Sequence, residues 1–163
     1  MEIEVFIEIP RGSRNKYEYD ETRGIMRLDR VLYSSVHYPA DYGFVPGTLA
    51  PDGDHLDAIV ICEEPTFPGC LVPARAIGVL CMVDERGHDD KVLAVPLGDP
   101  RFEKVHDLPD ISPHWLQEIA NFFNTYKTLE HKPTSIVGWS QAAEVERLVE
   151  ECRQAAREAA GGE

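Results

Sequence analysis

The sequence predicts an α+β protein that is mainly β, with a closed β-barrel and two α-helices beside it. Six short segments have the alternating or continuous apolar pattern of strands, and turns rich in Pro and Gly join them. Two amphipathic segments with helical spacing follow in the last third of the chain. Many short strands with such turns favour a closed barrel over a sandwich. We find no repeat or linker, so we expect one domain over residues 1–163.

The first three predicted strands are short and alternating. In residues 3–9, Ile and Val alternate with Glu and Phe, so that one face is apolar. Residues 16–20 alternate charged side chains with two tyrosines, and a turn at Gly24 leads into residues 25–31. Two strands joined by such a turn predict a β-hairpin.

Residues 38–47 are rich in Pro and Gly and also unusually aromatic, which predicts a shaped loop without regular structure. Packing alone explains Phe44 as well as any functional role does. The hydroxyl groups of Tyr38 and Tyr42 are expected to point at specific partners, because a buried phenol needs a hydrogen bond.

Three further segments, residues 58–62, 76–83 and 91–97, are almost continuously apolar. This pattern is typical of strands that are buried on both faces.

The two predicted helices come last. Ser112 followed by Pro113 indicates a helix start, and an apolar stripe runs from Leu116 to Phe123. We expect the second helix to start at Ser140, and its Ala-rich tail at about residues 155–163 to fray.

Composition restricts the classes of function. Hydrophobic residues make up 43% of the 163 residues, as in an ordinary globular protein, and the formal net charge is −13. Such a charge repels a nucleic-acid backbone, so we expect no nucleic-acid partner. No apolar run approaches the ~20 residues of a membrane helix, and the acidic start lacks the basic region of a secretion signal. We therefore expect a cytoplasmic protein without a membrane partner.

The most informative stretch is the acidic turn, residues 52–57, with the sequence DGDHLD, which leads directly into an apolar strand. Closely packed carboxylates repel one another unless cations lie between them. Ligand sets made only of oxygen select hard cations such as Mg²⁺ or Mn²⁺ over zinc. A solvated acidic turn is the usual explanation of one such motif. A second acidic cluster at residues 84–90, again beside apolar runs, favours a metal site instead.

Acidic and basic residues without an evident structural role are interleaved along the chain, at strand ends and turns that a barrel can bring together. Carboxylates hold metal ions, metal ions hold phosphate oxygens, and Lys, Arg and Tyr bind the remaining oxygens. The joint pattern therefore indicates a phosphate-handling metal site, although each basic residue alone is more often a solvated charge.

The polar and aromatic residues that stand out form an ordered series of short segments along the chain. They are Glu8-Ile9-Pro10, Lys16-Tyr17-Glu18, Asp29-Arg30, Tyr38-Pro39, Asp41-Tyr42-Gly43, the acidic turn, Asp84-Glu85, Asp89, Lys91 and Tyr126-Lys127. In this series the chain resembles the family I soluble inorganic pyrophosphatases of the bacterial type, and the resemblance covers about three quarters of the chain.

The resemblance implies an OB-like five-stranded closed barrel flanked by two helices, and a role for each matched residue. It implies that several Mg²⁺ ions, for which Mn²⁺ can substitute, are held by Asp52, Asp57, Asp84, Asp89, Glu8 and Glu18. It implies that pyrophosphate and phosphate are bound by Lys16, Arg30, Tyr38, Lys91, Tyr126 and Lys127. The catalytic residues it implies are Asp54, Tyr42, Lys16 and Arg30, with Asp54 contacting the attacking water. It also implies a homohexamer.

One position departs from the family pattern, because His55 stands where many relatives carry proline. This histidine is free to add a hydrogen bond beside the three aspartates, or to face away from them.

The activity implied is hydrolysis of inorganic pyrophosphate to two phosphates, by metal-activated water in direct in-line attack. The alternative is a non-catalytic OB-like module that binds metal and phosphate. A calcium-binding EF-hand is excluded, because Asp57 stands where that loop requires glycine and the flanking segments are strands. An oligonucleotide-binding barrel is disfavoured, since such grooves are basic.

Overall fold

The computed structural model describes residues 1–162 and contains nine strands and two α-helices. The strands are β1 (Glu2–Ile9), β2 (Asn15–Asp20), β3 (Ile25–Val31), β4 (Asp41–Val45), β5 (Leu56–Val60), β6 (Leu71–Asp84), β7 (Gly87–His88), β8 (Lys91–Pro96) and β9 (Ser135–Gln141). The helices are α1 (Pro113–Thr125) and α2 (Val145–Gly161).

Five strands close into a barrel in the order β1, β4, β5, β8, β6, and β6 pairs with β1 to complete the ring. All pairs are antiparallel except β5 with β8, so the barrel is mixed. The far half of the long strand β6 also pairs with β7 and β9. The predicted OB-like five-stranded closed barrel with two flanking helices is confirmed. Strands β2 and β3 form the predicted hairpin, as a separate two-stranded sheet.

Strands β5 and β8 are apolar on both faces, because their two faces belong to two different cores, each of which includes one helix. In β5, Ala58 and Val60 belong to an aliphatic core that includes Val145 and Val149 of α2. Ile59 on the opposite face belongs to an aromatic core that includes Phe122 and Phe123 of α1. Burial on both faces is the physical reason for the continuous apolar runs in the sequence.

Strand β4 lies inside the segment that we predicted to be irregular, so that prediction is wrong for residues 41–45. All five residues of β4 are buried. A Cβ atom at Gly43 would lie 1.8 Å from the carbonyl oxygen of Phe6 in β1. Glycine therefore permits close pairing of the two strands here, and the prolines at 39 and 46 lie outside β4.

The start of the second helix was also predicted wrongly. Ser140 lies in β9, which we did not predict, and it pairs with Val79 of β6. Helix α2 begins only at Val145, after a short 3₁₀ turn at Ala142–Glu144. Pairing with a distant strand overrides the local resemblance of Ser140 to a helix cap. The first helix begins as predicted, with Ser112 accepting a hydrogen bond from the backbone N–H of His114.

Helix α2 continues to Gly161, and Glu163 lies outside the described residues. Fraying of the tail and the single domain both stay predictions. Within residues 1–162, no helix is long and apolar enough to cross a membrane.

Candidate active site

A cavity of about 380 Å³ opens where strands β5 and β8 begin and β6 ends. Twelve of the residues singled out in the sequence line it. They are Glu8, Lys16, Glu18, Tyr42, Asp52, Asp54, Asp57, Asp84, Asp89, Lys91, Tyr126 and Lys127. The barrel thus brings together side chains that lie up to 119 positions apart in the chain.

The centre of the cavity is a buried lysine between two carboxylates. Because β5 and β8 are parallel with Asp57 opposite Lys91, both side chains start from the same end of the barrel. The ammonium of Lys91 donates to Asp57 Oδ2 at 2.9 Å, to Asp89 Oδ2 at 3.1 Å and to the hydroxyl of Tyr42 at 2.9 Å. The rings of Tyr42 and Phe123 lie 5.2 and 5.1 Å from it. Lys91 is therefore held in one position.

Electrostatics keep this lysine charged. Burial alone would lower the pKa of Lys91, but the carboxylates of Asp57 and Asp89 outweigh burial and raise the pKa. Burial raises the pKa of Asp57, and Lys91 offsets only part of that effect. Two carboxylates and one ammonium leave net negative charge in a buried place, which attracts a further cation.

The acidic turn forms the outer wall of the cavity. Gly53 has a φ of 91°, a conformation that favours glycine, and the turn lets Asp52 Oδ1 accept the backbone N–H of Asp54 at 3.0 Å. Arg86 holds the turn from the opposite side, with 3.1 Å from Nη1 to Asp54 Oδ2 and 2.6 Å from Nη2 to the carbonyl oxygen of Asp52. The Asp54 side chain is 67% exposed and therefore accessible to water.

The hairpin supplies a third wall. Lys16 lies 3.4 Å from Asp29, and Glu18 pairs with Arg27 at 3.0 Å. Behind them Glu8 accepts the backbone N–H of Tyr19 at 2.8 Å. Burial raises the pKa of Glu8 to about 7, more than the hydrogen bond from Tyr19 lowers it. Glu8 is thus a carboxylate without sufficient positive charge beside it.

The segment after α1 closes the cavity. Tyr126 is buried against the aromatic core, and burial raises its pKa well above the usual range. Lys127 Nζ lies 3.9 Å from Glu85, and burial lowers the pKa of Lys127. Both side chains line the cavity, and Tyr126 does so from within the aromatic core.

Two predicted site residues do not reach the cavity wall. Tyr38 is buried in the aromatic core, with its ring 4.7 Å from that of Phe122. Arg30 lies behind the hairpin wall, where Nη1 pairs with Asp29 at 2.6 Å and Nε with Glu130 at 2.8 Å. Because Asp29 also contacts Lys16, Arg30 reaches the cavity only through that carboxylate.

The sequence reasoning gave no site role to several residues that line the cavity, among them Arg86, Glu21 and Thr48. Arg86 stands inside the second acidic cluster, and its position between carboxylates was the available signal. Nothing in the sequence marks Glu21 or Thr48. His55, whose role was open, contacts both of them rather than facing away.

The donor chemistry fits a hard divalent cation. Every carboxylate predicted as a ligand lines the cavity, and the set contains only oxygen. Burial raises the pKa of both Glu8 and Asp84, so their ionised forms need added positive charge. In the described chain, no three Asp, Glu, His or Cys side chains yet form a closed cage. Lys91 lies between Asp57 and Asp89, two of the predicted ligands.

The mixed barrel and its cavity of carboxylates and lysines fit the class of proteins that bind cations together with phosphate oxygens. The comparisons agree with this class. The sequence profile of the family described as inorganic pyrophosphatase matches residues 5–157. An inorganic pyrophosphatase of Synechocystis is 56% identical over 150 residues, which is 92% of this chain and 89% of the relative. One from Halalkalibacterium halodurans is 53% identical over 92% of both chains.

Solved structures agree as well. The inorganic pyrophosphatase of Thermus thermophilus superposes with a TM-score of 0.93 at 42% identity, over 96% of this chain and 91% of that one. The enzyme of Helicobacter pylori gives the same score and identity, over 96% and 94%. The chain belongs to the inorganic pyrophosphatase family.

Proposed function

We propose that the protein hydrolyses inorganic pyrophosphate to two phosphates, with water attacking one phosphorus directly in line with the leaving phosphate. One observation carries the proposal. Eight carboxylates and three lysines line a single cavity of about 380 Å³ in a chain whose net charge is −13. An acidic protein can bind so small and highly charged an anion only where cations are concentrated. Membership of the family supports the same activity.

The family requires a divalent metal, and we propose Mg²⁺, with Mn²⁺ as a substitute. Asp52, Asp57 and Asp89 would hold the first ions, and Asp84 would join Asp89 in holding another. Glu8 and Glu18 would support them from the hairpin side. When bound, such cations lower the pKa of coordinated water and neutralise charge on phosphate.

The chain's own residues supply the remaining steps. Asp54 is accessible and lies on a turn that Arg86 and Gly53 fix, so we assign it to orient the attacking water and accept its proton. Lys16, Lys91 and Lys127 would bind phosphate oxygens as point charges. Tyr42 positions the Lys91 ammonium, and Tyr126 offers a hydroxyl donor from a buried ring. Arg30 would act on Lys16 through Asp29.

Tyr38 has a different position from the one its predicted substrate-binding role requires. Its ring packs beside Tyr42 with centroids 5.4 Å apart, so we propose that it supports the pocket without touching substrate.

The test is release of phosphate from pyrophosphate. We expect turnover with Mg²⁺ and poor turnover with Ca²⁺, which prefers more ligands at longer distances. Exhaustive chelation should abolish it, and full turnover after chelation would contradict the proposal. The alternative of a non-catalytic binding module predicts pyrophosphate binding in calorimetry with no phosphate released. An Asp57→Asn variant serves as the control for a contaminating hydrolase, because it should lose the activity.

Assembly as a homohexamer and a cytoplasmic location stay proposals. Several large apolar side chains are exposed on the isolated chain and supply surface that an interface would bury. They include Leu28, Val31, Tyr33, Phe67 and Val137. Light scattering of the purified protein would give the oligomeric state.

A further inference from the structure

His55 is fixed in the acidic turn by a column of aromatic rings. Its imidazole stacks on Phe44 with centroids 4.5 Å apart and planes 11° from parallel. Phe44 in turn stacks on Phe6 at 5.1 Å, and Phe6 packs against Tyr19 at 4.7 Å. Since Phe6 and Phe44 belong to barrel strands, the ring of His55 is held by the barrel.

Both ring nitrogens of His55 contact oxygen atoms that only accept hydrogen bonds. Nδ1 lies 2.8 Å from the carbonyl oxygen of Thr48, and Nε2 lies 2.6 Å from Oε1 of Glu21. The carbonyl oxygen of Thr48 and the carboxylate of Glu21 both accept, so each contact has His55 as its donor. Because the acceptor is a carboxylate, the short contact with Glu21 is a charge-assisted hydrogen bond.

Glu21 belongs to the turn of the β2–β3 hairpin, which carries Lys16 and Glu18 into the cavity. Strands β2 and β3 pair only with each other, and the hairpin meets strand β1 of the barrel at Tyr19, whose backbone N–H donates to Glu8 and whose ring packs on Phe6. Within residues 1–162, the His55 contact is the one hydrogen bond that joins residues 20–24 to the barrel. The free end of the hairpin is thus tied to the acidic turn at a single point.

We propose that His55 is a positioning residue that clips the hairpin turn through Glu21 and so sets the distance between the Lys16 wall and the acidic turn. The inference rests on the proposed pyrophosphate hydrolysis for its kinetic consequence. The clip itself is a property of the free protein. Because Lys16 contributes to substrate binding and Asp54 to proton transfer, loosening the clip weakens substrate binding and leaves the chemical step intact.

The experiment uses Glu21→Ala, His55→Phe and the double variant. Phenylalanine keeps a ring to stack on Phe44 and removes both donors. Glu4→Ala is the matched control, since Glu4 is an exposed glutamate on β1 far from the turn in sequence. At saturating Mg²⁺ we expect KM to rise roughly two- to fivefold in each single variant, with kcat within about twofold. This is the range expected for the loss of one part-exposed charged contact. The double variant should match the single ones, because both remove the same contact.

Hydrogen exchange of the metal-free protein provides the second readout. Amides of residues 17–28 should exchange faster in Glu21→Ala and His55→Phe, and at the wild-type rate in Glu4→Ala. Additive effects on KM, an equal fall in kcat, or unchanged exchange would each overturn the clip. If the wild type releases no phosphate, the proposed activity fails, and the exchange comparison still decides whether the clip exists.

Discussion

The inner and outer walls of the cavity each combine aspartates with one basic side chain, but the two walls differ in burial. The inner wall consists of Asp57, Asp89 and Lys91, with exposed fractions of the side chains of 25%, 11% and 1%. The outer wall has Asp54 and Arg86 at 67% and 53%, together with Asp52.

This difference separates two kinds of work. A charge pair in a buried place is costly to break, because the remaining charge is poorly solvated. An exposed pair contributes little to stability. We therefore expect the inner wall to set the structure of the site, and Asp54 of the outer wall to exchange protons with water. Each prediction below tests that division.

The largest effect expected is on the rate. Asp54→Asn removes the outer-wall proton acceptor, so kcat should fall by about 10²–10⁴-fold while metal affinity is nearly unchanged. Asp57→Asn should damage both, because it removes an inner-wall ligand and a partner of Lys91. Titration with Mn²⁺ alongside kcat measures the two quantities. If Asp54→Asn loses metal affinity as severely as Asp57→Asn does, Asp54 is a ligand and the two walls do not differ as proposed.

The next effect is on stability without metal. Lys91→Met leaves Asp57 and Asp89 facing each other, and removal of one partner from a buried ion pair costs about 3–5 kcal/mol. Arg86→Met is the matched control on the outer wall and should cost less than about 1 kcal/mol. Urea unfolding in the presence of a chelator gives both free energies of unfolding. Equal losses in the two variants would show that burial does not distinguish the walls.

The sequence predicted the parts of the fold that depend on local pattern. Alternation in residues 3–9, the hairpin, and the continuous apolar strands all reflect which faces are buried. It did not predict β4 or β9, because both depend on long-range pairing, with β1 and β5 for β4 and with β6 for β9. Local composition carries no record of such a partner.

The same distinction applies to the site. Clustered aspartates are visible in the sequence because their mutual repulsion demands an explanation. The contact of Arg86 with Asp54 joins residues 32 positions apart, and that of His55 with Glu21 joins residues 34 apart. Arg30 and Tyr38 show the converse, since the family resemblance implied contact with substrate for both, and both lie behind the cavity wall in this structure.

Glu8 sharpens the comparison, because it is largely buried like the inner wall but accepts no hydrogen bond from a lysine. Its pKa is raised by burial from 4.5 to about 7, so the folded protein holds a proton that the unfolded chain releases between these values. The contribution of Glu8 to stability is complete below pH 4.5 and is lost as pH rises to about 7. At 1.36 kcal/mol per pKa unit, metal-free Glu8→Gln should be more stable than wild type by about 3 kcal/mol at pH 8.

This gain should vanish near pH 4.5, where Glu8 is protonated in both states. Glu18→Gln is the matched control, since that side chain is 48% exposed, and it should change the free energy of unfolding by less than about 1 kcal/mol. Unfolding of the three proteins from pH 4.5 to 8 in chelator measures the effect. Addition of Mg²⁺ should reverse the order of stability, because the cation supplies the charge that ionised Glu8 lacks. A Glu8→Gln variant that is no more stable at pH 8 would contradict the role given to burial.

The smallest change in stability is expected at Lys127. This residue tests whether every buried charged side chain contributes to the stability of the fold. Its side chain is only 12% exposed, yet Nζ lies 3.9 Å from Glu85, too far for a hydrogen bond, and burial lowers the pKa. Removal of the charge therefore relieves a desolvation cost and breaks no strong pair. Lys127→Ala should change the free energy of unfolding by less than about 1 kcal/mol. Phe123→Ala, in the fully buried core four positions earlier, should cost about 3–5 kcal/mol.

In the same two variants KM should change in the opposite order. KM should rise for Lys127→Ala, because a phosphate-binding charge is lost, while kcat changes little. Urea unfolding and steady-state kinetics on the pair decide between the outcomes. A loss of stability in Lys127→Ala as large as that in Phe123→Ala would show that this lysine, like Lys91, is needed for the stability of the fold. Burial alone would then decide which charged side chains stabilise the site.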